Sequence, residues 1–265
     1  MGRIGRSFQL LQQSYRILMQ DKELMILPLI SGVFVVGVAV SFFFFAQSAG
    51  ISLDRADRNQ PQALVPMFLV YVVTYFIGIF FQAAVIAGAT ERMRGGDPTV
   101  ASALSAAGRR VVPILMWAIV AATVGVLLRA IQDRVGFLGK IIVGFVGAAW
   151  SLATFFVVPA LVLEEKSVGD SFRQSVATFK KTWGETMVGG ASLGVAALVA
   201  WITLAAIVGL LAWAGAGIVA LAIGAAGAVT LIVFFSALQG IYVASLYRYA
   251  TEGHATSGFD AGLLA

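Results

Sequence analysis

The sequence has no cysteine, a single histidine (His254), and only 12% charged residues. Without cysteine there can be no disulfide, thiolate metal site or thiol nucleophile, and the redox compartment is left open. With the one imidazole in the C-terminal tail, no histidine-based metal site or general base is expected among the apolar stretches. No Asp, Glu, Lys, Arg or His lies in the central part of any long apolar stretch. That disfavours proton relays, voltage sensors and many ion-coupled carriers, which need such groups. Soluble domains carry about 25% charged residues, so charge is scarce throughout. What fills the chain instead is apolar: 60% of residues are hydrophobic. A soluble fold could not hide that much apolar surface, so lipid is the expected solvent. The net charge of +5 is carried at the ends of the apolar stretches, where anionic headgroups lie, and does not point to nucleic acid. No cleavable signal is expected, because residues 1–23 are polar-amphipathic and the run after them is long and rich in Phe.

The uncharged stretches are Leu24–Leu53, Asn59–Thr90, Val111–Leu128, Ile141–Leu163 and Thr186–Tyr247. A spanning helix needs about 20 residues. The first four each hold one span. The last is 62 residues long and holds two, with a break expected at Ala212–Gly217. The expected fold class is therefore all-α, a membrane bundle of six transmembrane helices forming one domain over residues 1–265. With both termini in the cytoplasm, 13 Lys and Arg fall inside and 5 outside, as the positive-inside rule requires. The expected location is the cell membrane.

Three cytoplasmic segments read as amphipathic helices lying on the membrane. In the first, Ile4, Phe8, Leu11, Tyr15 and Leu18 form the apolar stripe. In the third, Val168, Phe172, Val176, Phe179 and Trp183 do so, beside Lys180 and Lys181. Ser167 with Asp170 suggests a capping box that starts the third. In the second, over Asp97–Arg110, Asp97 is the expected N-cap and Pro98 the first helical residue. A shift of 164 residues places Phe8 on Phe172, Tyr15 on Phe179, Arg16 on Lys180 and Asp21 on Glu185. The chain thus reads as three units of one interfacial helix plus one transmembrane hairpin, over 3–90, 97–163 and 167–249, with a tail over 250–265.

The stretch Phe155–Glu164 carries Pro159 near the end of a span and then an acid. It is followed by Ser167, Ser171, Ser175, Phe179, Lys180, Trp183 and Gly184. This pattern resembles the signature of an uncharacterised prokaryotic family of six-span membrane proteins of unknown function. It is similar, more distantly, to the membrane domain fused to some glycerophosphodiester phosphodiesterases. The resemblance implies a fold and no activity, since no phosphodiesterase catalytic domain accompanies it.

Several residues stand out as candidates. Pro159 removes a backbone hydrogen bond and is either a hinge or a packing kink. Glu164 and Glu165 are adjacent carboxylates at a membrane exit, either solvated charges paired with Lys166 or a basic helix, the favoured reading, or a pair for acid–base chemistry or metal binding. Ala216, Ala220, Gly224 and Ala228, and Gly190 with Gly194, recur every four residues. Such spacing lets helices approach closely, within one chain or across a homodimer seam. Gln82 and Gln239 are large polar side chains inside spans and are expected to bond to another helix. Arg109, Arg110, Lys180 and Lys181 suit anionic lipid. Together with Phe8, Tyr15, Phe172, Phe179 and Trp183 they form the candidate lipid or partner interface.

The expected role is a non-enzymatic membrane-organising or accessory protein that binds lipid, with anionic headgroups foremost, or a protein partner at the cytoplasmic face. No cofactor, metal or nucleic acid is expected. A passive channel or small-solute transporter is the alternative, and a membrane-embedded lipid-handling enzyme comes third.

Overall fold

The computed structural model of the chain describes residues 3–50 and 61–252. All regular structure in it is helical. In chain order the helices are α1 (Arg3–Gln20), α2 (Ile26–Ser48), α3 (Pro61–Met93), α4 (Val100–Gly108), α5 (Val111–Gln132), α6 (Phe137–Ala153), α7 (Val157–Leu163), α8 (Val168–Trp213) and α9 (Gly217–Glu252), with a 3-10 turn at Lys22–Met25 before α2. Six segments are long and apolar enough to cross a membrane: Lys22–Ser48, Val65–Met93, Val111–Gln132, Phe137–Leu163, Val168–Trp213 and Gly217–Glu252. The break between the last two is set by Gly215. Its φ of +81 is a left-handed conformation that costs a side-chain-bearing residue about 1–2 kcal/mol. There Ala216 N–H reaches back to Leu211 O at 2.9 Å and Gly215 N–H to Ala212 O at 3.1 Å, closing the end of α8.

The tightly packed core lies at one end of the bundle. It joins Leu18, Leu24 and Leu27 to Ile86 on α3, Ile114 on α5, Phe156 and Leu161 around α7, and Ile241 on α9, all at most 1% exposed. At the other end the helices face outward. α6 has no buried residue, and Phe145, Trp213 and Ile218 are 72%, 88% and 87% exposed. Apolar surface on that scale is unsustainable in water and is the normal exterior of a span in lipid.

The helix before the fifth span and the span itself together make up α8 and meet at a kink at Thr182, whose φ −116 and ψ 18 are not helical. Around the bend the hydroxyls of Thr182 and Thr186 donate to the carbonyls of Thr178 and Thr182, at 3.0 and 2.8 Å, a back-bonding that bends helices.

The apolar stripes mark the packed faces only in part: Leu18 is buried, and Leu11, Val168, Phe172 and Phe179 pack on the core from its edge. On α8 the buried side before the bend is Ser171, Ser175, Thr178 and Thr182, while Phe172 and Phe179 are half-buried and Trp183 is exposed. On α1, which packs against α8 and α9, the buried residues include Leu10, Ser14, Ile17 and Leu18, while Tyr15 is exposed. In lipid, close approach by small residues drives packing and apolar character does not. The second short helix starts later than expected. Thr99 is its N-cap, in a reciprocal capping box with Ser102, because Asp97 is held by Arg92. At the start of α8, Ser167 accepts from Asp170 N–H at 3.2 Å.

Pro159 sits one turn into α7, after a break at Thr154–Phe156 that separates it from α6. The proline ring obstructs the carbonyl four residues earlier and has no N–H to give it. Ser175 bridges the α6–α7 break from α8. Its hydroxyl accepts from Phe156 N–H at 3.0 Å and donates to Ala153 O at 2.6 Å. Glu164 and Glu165 are not consecutive helical residues, because Glu165 has φ +52 and turns the chain after α7.

Small residues hold α8 to α9. A side chain added at Gly224 would touch Val208 at 3.3 Å, and one at Gly227 would meet Leu204 at 2.6 Å. On α9, Ala220 is buried and Ala228 half-buried, and Ala216, just before the helix, is half-buried. Gly190 and Gly194, however, face open space and are not packing positions within this chain. The contact glycine of α8 is Gly189, whose missing side chain makes room for the Tyr242 ring.

Candidate functional site

Two places in the fold carry polar chemistry: the charged end of the bundle and a pair of chambers among the spans.

The charged end is mostly bound up in the fold itself. Arg92, near the end of α3, donates through Nε and Nη2 to both carboxylate oxygens of Asp21 and also reaches Asp97. Asp21 is buried, so this bidentate pair fixes α1 to α3. Glu91 accepts from the Ser102 hydroxyl at 3.0 Å, and Tyr247 donates to Glu164, which also pairs with Lys166. Arg248 pairs with Glu252. Arg110 donates to Leu161 O at 3.0 Å and Lys166 O at 2.7 Å. It closes carbonyls beyond α7, a structural duty that takes it out of the expected lipid-facing set.

Aromatics are engaged in the same way. Phe172 stacks on Trp150 at 5.8 Å, and Trp150 stacks on Trp117 at 5.9 Å. Phe179 packs on the buried core. Of the expected interface residues, Tyr15, Arg109, Lys180, Lys181 and Trp183 are exposed. The side chain of Phe8 lies outside the described residues. Arg173, its side chain 85% exposed, joins the exposed basic residues of α8.

The chambers were not foreseen as such. One, of about 560 Å³, lies between α2, α3 and α9. The other, of about 490 Å³, lies between α3, α5, α9 and the α6–α7 break. They share Tyr75, Ile79, Gln82 and Gln239. Gln82 and Gln239 each lie nine residues before the first charged residue that follows on their helix, Glu91 and Arg248. At 1.5 Å per residue that is about 13 Å of helix, so the two amides stand at matching depth within the span. The expected interhelical hydrogen bond is not made. Among the described residues neither amide has a hydrogen-bond partner, and neither do the hydroxyls of Ser31, Thr74 and Ser236, which line the first chamber with them; the Tyr75 hydroxyl lies toward α5, against Gly125. The glutamines were visible in the sequence as polar residues in apolar runs. The hydroxyls were not, since Ser and Thr inside a span ordinarily bond their own helix.

Together these features define the class: an all-helical protein whose six apolar helices suit it to cross a membrane repeatedly. Residues 62–259 match the model of a family of unknown function, DUF6159, and the chain belongs to that family. No curated protein and no solved structure matches it.

Proposed function

We propose that the protein is a non-enzymatic, membrane-organising accessory protein of the cell membrane, with its charged end in the cytoplasm, where it gathers anionic lipid headgroups along α8. The observation that carries this reading is the row of exposed Arg173, Lys180, Lys181 and Trp183 on either side of the bend at Thr182. Basic residues near an anionic surface contribute about 1 kcal/mol each, and Trp favours the interfacial zone. A cytoplasmic protein partner on the same edge is the companion reading.

The three-unit layout belongs to this proposal. Under the 164-residue shift, Ser14, Leu18 and Asp21 correspond to Thr178, Thr182 and Glu185, and all six are buried. Between the chambers and the charged end, Ile86, Ile114, Phe156 and Ile241 are fully buried. The chambers are therefore read as a binding site and not as a pore.

The test is the lipid that travels with the protein. Wild-type protein and the R173Q/K180Q/K181Q variant would be extracted in mild detergent from mixed phosphatidylglycerol–phosphatidylcholine membranes, and bound lipid counted by mass spectrometry. The anionic share should fall in the variant. An unchanged share, with the variant monodisperse, would overturn the reading.

A further inference from the structure

We infer that the chamber between α2, α3 and α9 is a binding site for a neutral lipid, one whose uncharged head carries hydroxyl or amide groups. Two amides and the hydroxyl-bearing Ser31, Thr74 and Ser236 line it without a hydrogen-bond partner among the described residues. A polar group left unpaired away from water is costly, and in hydrocarbon no solvent relieves it. Five such groups lining one cavity call for a molecule that both donates and accepts.

The occupant is uncharged. No Asp, Glu, Lys, Arg or His lines either chamber, so a phosphate or ammonium head would be stripped of water with no counter-charge.

It is also an amphiphile. One turn further along the same two helices, past Val35 on α2 and Thr74 on α3, the seam opens into an apolar trough of about 710 Å³. The trough is lined by residues such as Val38, Phe42 and Phe45 of α2 and Pro66 and Val70 of α3. A chamber edged with polar groups beside an apolar trough on the same seam suits a head and a chain. This assignment uses none of the basic residues of the α8 edge, so either proposal can fail without the other.

The experiment uses the full chain in phosphatidylcholine nanodiscs containing a photoactivatable diacylglycerol. A phosphatidylglycerol probe with the same acyl chains is run in parallel. Two variants test the site. Gln82→Leu with Gln239→Leu removes the amides at similar volume. Gly78→Leu fills the chamber from a position where an added Cβ meets nothing within 4 Å. Both variants should fold, and loss of unpartnered amides should leave the melting temperature in detergent equal or higher.

The neutral probe should label peptides within 26–48 and 65–85 about tenfold more than in either variant, the weight of one to two hydrogen bonds. It should also exceed the anionic probe. Equal labelling by the two probes, labelling unchanged in both variants, or no labelling at all, as for a cavity filled by water or a small solute, would each overturn the assignment.

Discussion

Replacing Gly189 by alanine should destabilise the protein far more than the same change one residue away. A Cβ at Gly189 would fall 1.8 Å from the Tyr242 hydroxyl oxygen and 2.4 Å from Cζ, well inside van der Waals contact. The ring cannot swing aside cheaply, because Tyr242 is 1% exposed and its hydroxyl donates to Glu185 O at 2.8 Å. Forcing it away costs about 1–3 kcal/mol for overpacking and about 1–3 kcal/mol for the stranded hydrogen-bonding groups. Alanine returns about 1 kcal/mol as the better helix former. The net loss is about 1–5 kcal/mol, and its midpoint of about 3 kcal/mol is roughly 6–12 °C in melting temperature for a chain of this size. Gly190→Ala is the control, since its Cβ meets nothing within 4 Å, and it should be neutral or slightly stabilising. Thermal scanning of tryptophan fluorescence in one detergent compares the two directly. Matching melting temperatures for the two variants would refute the packing of α8 on α9 described above.

Ser175→Ala should cost about 2–4 kcal/mol, because it strands Phe156 N–H and Ala153 O together. Thermal scanning against wild type in the same detergent would show the loss, and an equal melting temperature would refute the bridge. Glu165→Gly should stabilise by about 0.5–1 kcal/mol through relief of the left-handed backbone, since no contact of its side chain is recorded. A lower melting temperature would count against that turn.

The six spans could be read from the sequence because charge marks their ends so sharply: nothing ionisable interrupts Leu24–Leu53 or Thr186–Tyr247. The direction each helix faces could not. In a soluble protein an apolar stripe points to the core, but in lipid both faces find an apolar surrounding. The stripe through Phe172 and Phe179 therefore meets the core only at its edge, and the Ser171, Ser175, Thr178 and Thr182 side turned inward. Asp97 looked like a cap because its competing partner Arg92 is itself aligned by Asp21, 71 residues from it in sequence. The glutamines were conspicuous one at a time, but their convergence with Ser31, Thr74 and Ser236 depends on three helices meeting, which no local pattern encodes.

A bundle fastened at one end behaves like a sheaf of cantilevers. The tips of α5–α6 and of α8–α9, far from the buried cluster of Ile86, Phe156 and Ile241, are held apart by acyl chains as much as by each other. Bilayer thickness and lateral pressure then set the spacing of those tips, while the clamped end keeps one arrangement in every membrane.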